Sequence, residues 1–71
     1  MNDLEAVIGG KEWEVGQIVR WLRPDGQWVE RKIVNFKTNT RTGEIMAVLD
    51  NQFAFGAEDI ERGHVQEVRR G

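Results

Sequence analysis

The stretch Trp21–Val29, WLRPDGQWV, places a tight turn between two tryptophans. Proline fixes its own φ and glycine accepts a positive φ that other residues resist, so Pro24-Asp25-Gly26 predicts a turn. Residues rich in β-branched and aromatic side chains lie on both sides of it, over Val15–Arg23 and Trp28–Phe36. This pattern predicts two strands of an antiparallel β-hairpin, from which the rest of the fold can be worked out.

The apolar residues of the second predicted strand do not alternate cleanly. Val29 and Ile33 share one face of the strand, whereas Trp28, Val34 and Phe36 share the other. A β-bulge resolves this conflict, because one extra residue shifts the alternation and bends the strand. We therefore expect a second strand that is bent enough to serve two sheets, as closure of a small barrel requires.

Three more strands are predicted over Glu44–Asp50, Phe53–Phe55 and His64–Val68, with one helical turn over Ala57–Ile60. Short strands joined by tight turns are typical of small barrels. The sequence therefore predicts an all-β fold, a single five-stranded and mostly antiparallel barrel over residues 12–71. An oligonucleotide-binding barrel is the alternative fold. It needs a helix between its third and fourth strands, for which this chain has no room.

The first eleven residues are predicted to be an acidic arm, flexible or loosely docked, outside this domain. Asn2 or Asp3 can cap a short helix over Leu4–Ile8, which Gly9-Gly10 would end. So short a helix is marginal on its own. We therefore expect that removal of residues 1–11 leaves the melting temperature nearly unchanged.

Composition excludes several classes of site. The chain of 71 residues has no cysteine and one histidine, His64, so neither a disulfide nor a thiolate metal site is expected, and no cofactor is predicted. It also has no serine, so the common catalytic nucleophiles are missing and we expect no enzymatic activity. A domain of this length buries only about 60–65% of its unfolded surface, so its stability is marginal. Self-association would add to that stability, and we expect a monomer or a weak homo-oligomer.

The N-terminal residues do not have the pattern of a signal peptide. Two acids precede the short apolar run Ala6-Val7-Ile8, and no run approaches the ~20 apolar residues that cross a bilayer. We therefore expect a cytoplasmic protein with no membrane contact.

The order of these signals resembles the Tudor-like branch of the Src-homology-3-like barrels. The resemblance covers residues 13–68 and depends on the order of four short motifs: Val15-Gly16, Asp25-Gly26-Gln27-Trp28, Leu49-Asp50-Asn51 and Asp59-Ile60. It implies a small binding barrel. Members that read methylated lysine or arginine surround the cation with aromatic rings. The resemblance places such walls near Trp21, Trp28, Phe53 and Phe55, although Leu22 and Val29 stand where caged members often have aromatic residues. In a domain this small, aromatic residues more often pack in the core, and the sequence favours core packing over a complete cage.

The sequence therefore predicts a non-catalytic adaptor or regulatory module that binds a protein partner. The predicted contact residues are Trp28, Phe53, Phe55 and Asp50. Within the first hairpin, Trp21 shares a face with Val19 and is expected to be largely buried, whereas Trp28 follows the turn and is expected to be partly exposed.

A nucleic-acid-binding barrel is the alternative function. Residues 20–41 carry six basic side chains against two acids, a net charge of +4, between two segments of net charge −3 each. Basic residues interleaved with Trp28 and Phe36 are typical of a surface that follows phosphates and stacks bases. Strand alternation places Arg31 and Lys32 on opposite faces, however. The six residues are Arg20, Arg23, Arg31, Lys32, Lys37 and Arg41.

Overall fold

A computed structural model of the chain describes residues 4–68. Within that range the elements are β1 (Glu5–Ile8), β2 (Lys11–Glu14), β3 (Ile18–Leu22), β4 (Trp28–Thr38), β5 (Ile45–Leu49), β6 (Ala54–Phe55), α1 (Ala57–Glu61) and β7 (Val65–Glu67). β1 and β2 form a two-stranded sheet, and the other five strands form a second sheet in the order β6-β5-β4-β3-β7. Every pairing is antiparallel.

The prediction of a small, mostly antiparallel all-β domain is confirmed. The predicted closure into a barrel is not found. Strand pairing among residues 4–68 leaves β6 and β7 at the two ends of the five-stranded order, so the hydrogen-bonded sheet stays open.

The turn between β3 and β4 has the predicted form. Arg23 N–H donates to the Gln27 carbonyl at 2.8 Å, and Gly26 N–H donates to the Arg23 carbonyl at 2.9 Å. Asp25 Oδ1 accepts the Gln27 N–H at 3.0 Å. Gly26 has φ +89°, a region that an L side chain resists.

β4 is bent by a bulge, as the broken alternation predicts. Trp28–Lys32 pair with β3, whereas Ile33 and the residues after Val34 pair with β5. The register shifts between Ile33 and Asn35, so Val34 is the extra residue. The bend lets one strand join two halves of the sheet.

The core lies on one side of the five-stranded sheet. It includes an edge-to-face contact between Trp13 and Phe55, whose ring centroids are 5.1 Å apart. Both strands of the small sheet also supply core residues, Ile8 from β1 and Trp13 from β2. The buried apolar residues are Ile8, Trp13, Val19, Trp21, Ile33, Ala47, Leu49, Phe55 and Val65.

The predicted helix over Leu4–Ile8 is wrong, because Glu5–Ile8 is a strand. Gly9 and Gly10 both have positive φ, +62° and +76°, and join Ile8 directly to its cross-strand partner Lys11. A two-residue turn with two positive φ values matches the twist of paired strands, so a hairpin forms in place of a helix. The predicted capping residues Asn2 and Asp3 lie outside the described residues.

The β1–β2 hairpin is docked through several contacts. Ile8 is 3% exposed and belongs to the core, and the Trp13 ring contacts Phe55 on β6. Within the hairpin, the Ile8 carbonyl accepts the Trp13 indole N–H at 3.1 Å. Lys11 Nζ lies 3.0 Å from Glu67 Oε2 on β7. Residues 8 and 11 of the predicted arm thus contact the rest of the domain. Independence of the domain over residues 12–71 stays a prediction, which truncation checks.

Candidate functional site

The two tryptophans of the first hairpin lie on opposite faces of it. Trp21 is 7% exposed and pairs with Val29, whereas Trp28 is 38% exposed and pairs with Leu22. Successive residues of a strand point to opposite sides, so the face that buries Trp21 turns Trp28 outward. Both predictions about their burial are confirmed.

The predicted partner-binding residues are not brought together on one face. Phe53 is 54% exposed, but its ring lies on Trp21, with centroids 5.0 Å apart at a tilt of 33°. Phe53 is therefore on the Trp21 side of the β3–β4 hairpin, away from Trp28. Phe55 is fully buried against Trp13, so it belongs to the core and not to an exposed face.

Asp50 lies beside Phe53 at the turn between β5 and β6. Its N–H donates to the Lys32 carbonyl at 3.0 Å, and its Oδ1 lies 4.0 Å from Arg31 Nε. That Arg31 nitrogen is buried and has no hydrogen-bond partner, so the ion pair is loose. In the same turn Gln52 has φ +73°.

An aromatic cage, which the resemblance implies, is not assembled from these residues. A cation held by two rings lies between their faces, but the rings of Trp21 and Phe53 contact each other. Trp28 points to the other side of the hairpin, and Phe55 is in the core. The four rings therefore enclose no common space.

The outward side of β3 and β4 forms a continuous surface. Directly opposed residues share a face, and the pairs here are Ile18 with Lys32, Arg20 with Glu30, and Leu22 with Trp28. The Arg20 guanidinium carbon lies 5.8 Å from the Trp28 ring centroid, within cation–π range. We call this surface the Trp28 face, and define it by Ile18, Arg20, Leu22, Trp28, Glu30 and Lys32.

The Trp28 face continues beyond the bulge. Ile33 and Phe36 point toward the core, which turns Val34 and Lys37 outward, and both are exposed. The surface therefore combines apolar area with basic groups. Arg20, Lys32 and Lys37 make no ion pair with the residues that the structure describes.

The other three residues of the predicted basic strip are placed elsewhere. Arg31 is on the opposite side of β4 from Lys32, as strand alternation predicts. Arg23 pairs with Asp25 in the turn at 3.1 Å. Arg41 lies in the loop between β4 and β5 and is exposed. The six basic residues therefore do not form one surface.

Glu58 and Asp59 of α1 have structural partners. Asp59 Oδ2 accepts the Gly56 N–H at 3.0 Å, which satisfies the start of α1, and Glu58 pairs with Arg62. Over residues 4–68 no group of three or more histidine, aspartate and glutamate side chains is placed to hold a metal ion.

Glu67 is held by Lys11 and Gln17. The hydrogen bond from the Lys11 ammonium lowers the pKa of the Glu67 carboxyl, and a second one from the Gln17 amide, at 3.2 Å, adds to the effect. Gln17 Oε1 also accepts the Glu14 N–H, so this buried amide connects β2 to β7. The cluster is a structural tie between the small sheet and the large one.

The β1–β2 hairpin, with Lys11 and Trp13, was not predicted from the sequence. The sequence feature that indicates it is Gly9-Gly10, a favoured pair for a two-residue hairpin turn, between two short segments of mixed apolar and polar residues.

Comparison of the chain with protein-family models, with characterised proteins and with solved structures finds no match. None of the helices in the described part of the chain has the length and apolar character to cross a membrane.

Proposed function

We propose that this protein is a non-catalytic binding module, an adaptor or regulatory domain, that engages a protein partner through the Trp28 face. The observation that carries the proposal is the exposure of Trp28 on an open sheet surface, beside Leu22 and under the Arg20 guanidinium. Tryptophan and arginine are the residues that most often dominate binding energy at protein interfaces.

The charges of the Trp28 face define the partner's chemistry. Arg20, Lys32 and Lys37 have no carboxylate partner among the described residues, so a partner can supply one. Ile18, Leu22 and Trp28 offer apolar area beside these cations. We therefore infer a partner segment with an apolar side chain next to carboxylates.

We also propose that the fold is Src-homology-3-like and Tudor-like, with the two halves of the sheet wrapped around the core. The bulge in β4 and the return of β7 to pair with β3 support it, as does the positive φ of Gly16 in the Val15-Gly16 motif. Such domains are binding modules, in agreement with the proposed function.

The test is capture of partners from the native host with four matched proteins. We expect the wild type and Phe53→Ala to retain the same partner, and Trp28→Ala and Arg20→Glu to lose it. Phe53→Ala is the control because it removes an exposed aromatic ring on the other side of the hairpin. Loss with Phe53→Ala and retention with Trp28→Ala would assign binding to the Phe53 side instead.

Nucleic-acid binding is a second candidate, because Arg20 and Lys32 share one face with Trp28. Glu30 lies between them. It disfavours a phosphate backbone, whose negative charge is continuous, more than a protein segment whose carboxylates can meet the cations alone, which is why we rank this function second. Binding to a generic oligonucleotide that weakens steeply with salt, and that Lys32→Glu removes, would support it. Absence of binding at low salt would leave the protein partner as the only candidate of the two.

A further inference from the structure

The outward side of the β1–β2 hairpin has the chemistry that we infer for the partner. Val7 is 61% exposed, and it pairs across the hairpin with Glu12. Glu5 is two positions before Val7 and shares its side of the strand, whereas Ala6 and Ile8 point toward the core. We call this surface the Val7 face, and define it by Glu5, Val7 and Glu12; Glu14, which pairs with Glu5, adjoins it.

The carboxylates of the Val7 face are available. Glu5 and Glu12 are exposed, and neither forms an ion pair with the residues that the structure describes. An exposed valine beside such carboxylates is the counterpart of an apolar surface beside such cations. One chain thus presents two complementary surfaces on different sheets.

We propose that the Val7 face of one copy of this chain docks on the Trp28 face of a second copy. This inference rests on the proposed function and names one occupant of the same surface. Glu5 and Glu12 would meet Arg20 and Lys32, while Val7 lies against Ile18 and Leu22, which flank Arg20 on β3. The outward side of β1 runs for about 13 Å, and the paired part of β3 for about 17 Å, so the lengths are compatible.

The symmetry, area and charge of this contact predict how the chains associate. The two faces differ, so the contact is head-to-tail and leaves a free face at each end unless a ring closes. A hairpin of this size covers less than the ~1,200 Å² of a stable interface, so the association is weak. Because exposed charges carry part of it, salt weakens it. A second copy on the Trp28 face also competes with the protein partner.

Sedimentation velocity at rising protein concentration tests the inference. We expect the weight-average mass of the wild type to rise with concentration at low salt and to fall back to the monomer value at high salt. Glu5→Lys/Glu12→Lys and Arg20→Glu/Lys32→Glu should each stay monomeric. An equimolar mixture of these two variants should associate again, because each reversed face meets a complementary one. Glu44→Lys/Glu61→Lys, which makes the same change of net charge elsewhere on the surface, should associate no less than the wild type.

A wild type that stays monomeric at millimolar concentration and low salt would overturn the inference. So would charge-reversed variants that associate as well as the wild type, or a mixture that fails to associate. Circular dichroism verifies that each variant is folded. If Glu5→Lys/Glu12→Lys is not folded, Glu5→Gln/Glu12→Gln takes its place in the test of association. Partner capture separates the two proposals: Glu5→Lys/Glu12→Lys keeps its Trp28 face and should still capture the partner, whether or not self-association is found.

Discussion

At Gly26, the free-energy cost of placing a side chain at a positive φ can be measured without interference from packing. Its φ is +89°, and a Cβ added there meets no atom within 4 Å. Gly26→Val should therefore lower the free energy of unfolding by more than ~1 kcal/mol through backbone strain alone. Urea denaturation measures the loss. Gly26→Asn is the control and should lose less, since asparagine tolerates positive φ. Equal stability of the valine variant and the wild type would contradict the assigned turn.

The opposite burial of Trp21 and Trp28 leads to a second prediction at the scale of single residues. Trp21→Ala should cost about 3–5 kcal/mol, as truncation of a core aromatic does. That loss is enough to unfold much of a domain whose total stability is of the order of 5 kcal/mol. Trp28→Ala should remain folded, with a loss of about 1 kcal/mol or less. Thermal denaturation followed by circular dichroism compares them, and a reversed order would mean that Trp28 is the core residue.

At the scale of elements, adjacent residues of β1 test how the small sheet contributes to stability. Ile8 is buried and Val7 is exposed. Ile8→Ala should cost about 2–4 kcal/mol, because it leaves a cavity in the core. Val7→Ala in the same strand should change stability by less than ~0.5 kcal/mol. Equal effects, measured by urea denaturation, would show that β1 is not docked as described.

The same burial changes the expectation for truncation. The acidic composition and the two glycines predict that removal of residues 1–11 is nearly neutral. Removal of Ile8 from the core and of Lys11 from its ion pair leads us to expect a lower melting temperature instead. A truncated protein that melts with the full chain would support the predicted boundary at residue 12.

Strands were predictable from the sequence wherever turn chemistry marks their ends. Pro24-Asp25-Gly26 defines the first hairpin, and the broken alternation around Val34 predicts the bulge. Gly9-Gly10 fits both the end of a helix and a two-residue hairpin turn. The contact of Ile8 and Trp13 with the core, which local sequence does not contain, decides between them.

The candidate site was predictable only in part for a similar reason. Alternation within one hairpin is enough to separate Trp21 from Trp28. It does not say on which side of that hairpin Phe53 lies, because that depends on how β5 and β6 fold over the sheet. The contact of Phe53 with Trp21 and the burial of Phe55 are consequences of this long-range arrangement.

At the scale of the whole molecule, the tie between the two sheets makes stability depend on pH. Interaction with Lys11 lowers the pKa of Glu67 in the folded state, so its contribution is present above the ordinary glutamate pKa of about 4.3 and is lost as pH falls through the lowered value. Glu67→Gln should be less stable than the wild type at pH 7, and the difference should shrink toward pH 3. Urea denaturation across this range measures it.

Lys11→Met provides the matched control, since it removes the partner and leaves the carboxyl. Its stability relative to the wild type should follow the same pH dependence as that of Glu67→Gln. A difference that is constant between pH 7 and pH 3 would mean that the ionised carboxyl contributes nothing.

The bond between Gln17 and Glu67 joins residues that are 50 positions apart in the chain. Closing so long a loop costs more entropy than forming the β3–β4 hairpin, whose strands are joined by a short turn. We therefore expect the β3–β4 hairpin to form early and β7 to attach after the folding transition state. Changes at Glu67 should then leave the refolding rate nearly unaltered and accelerate unfolding, and loss of β7 becomes the first step by which the native domain opens.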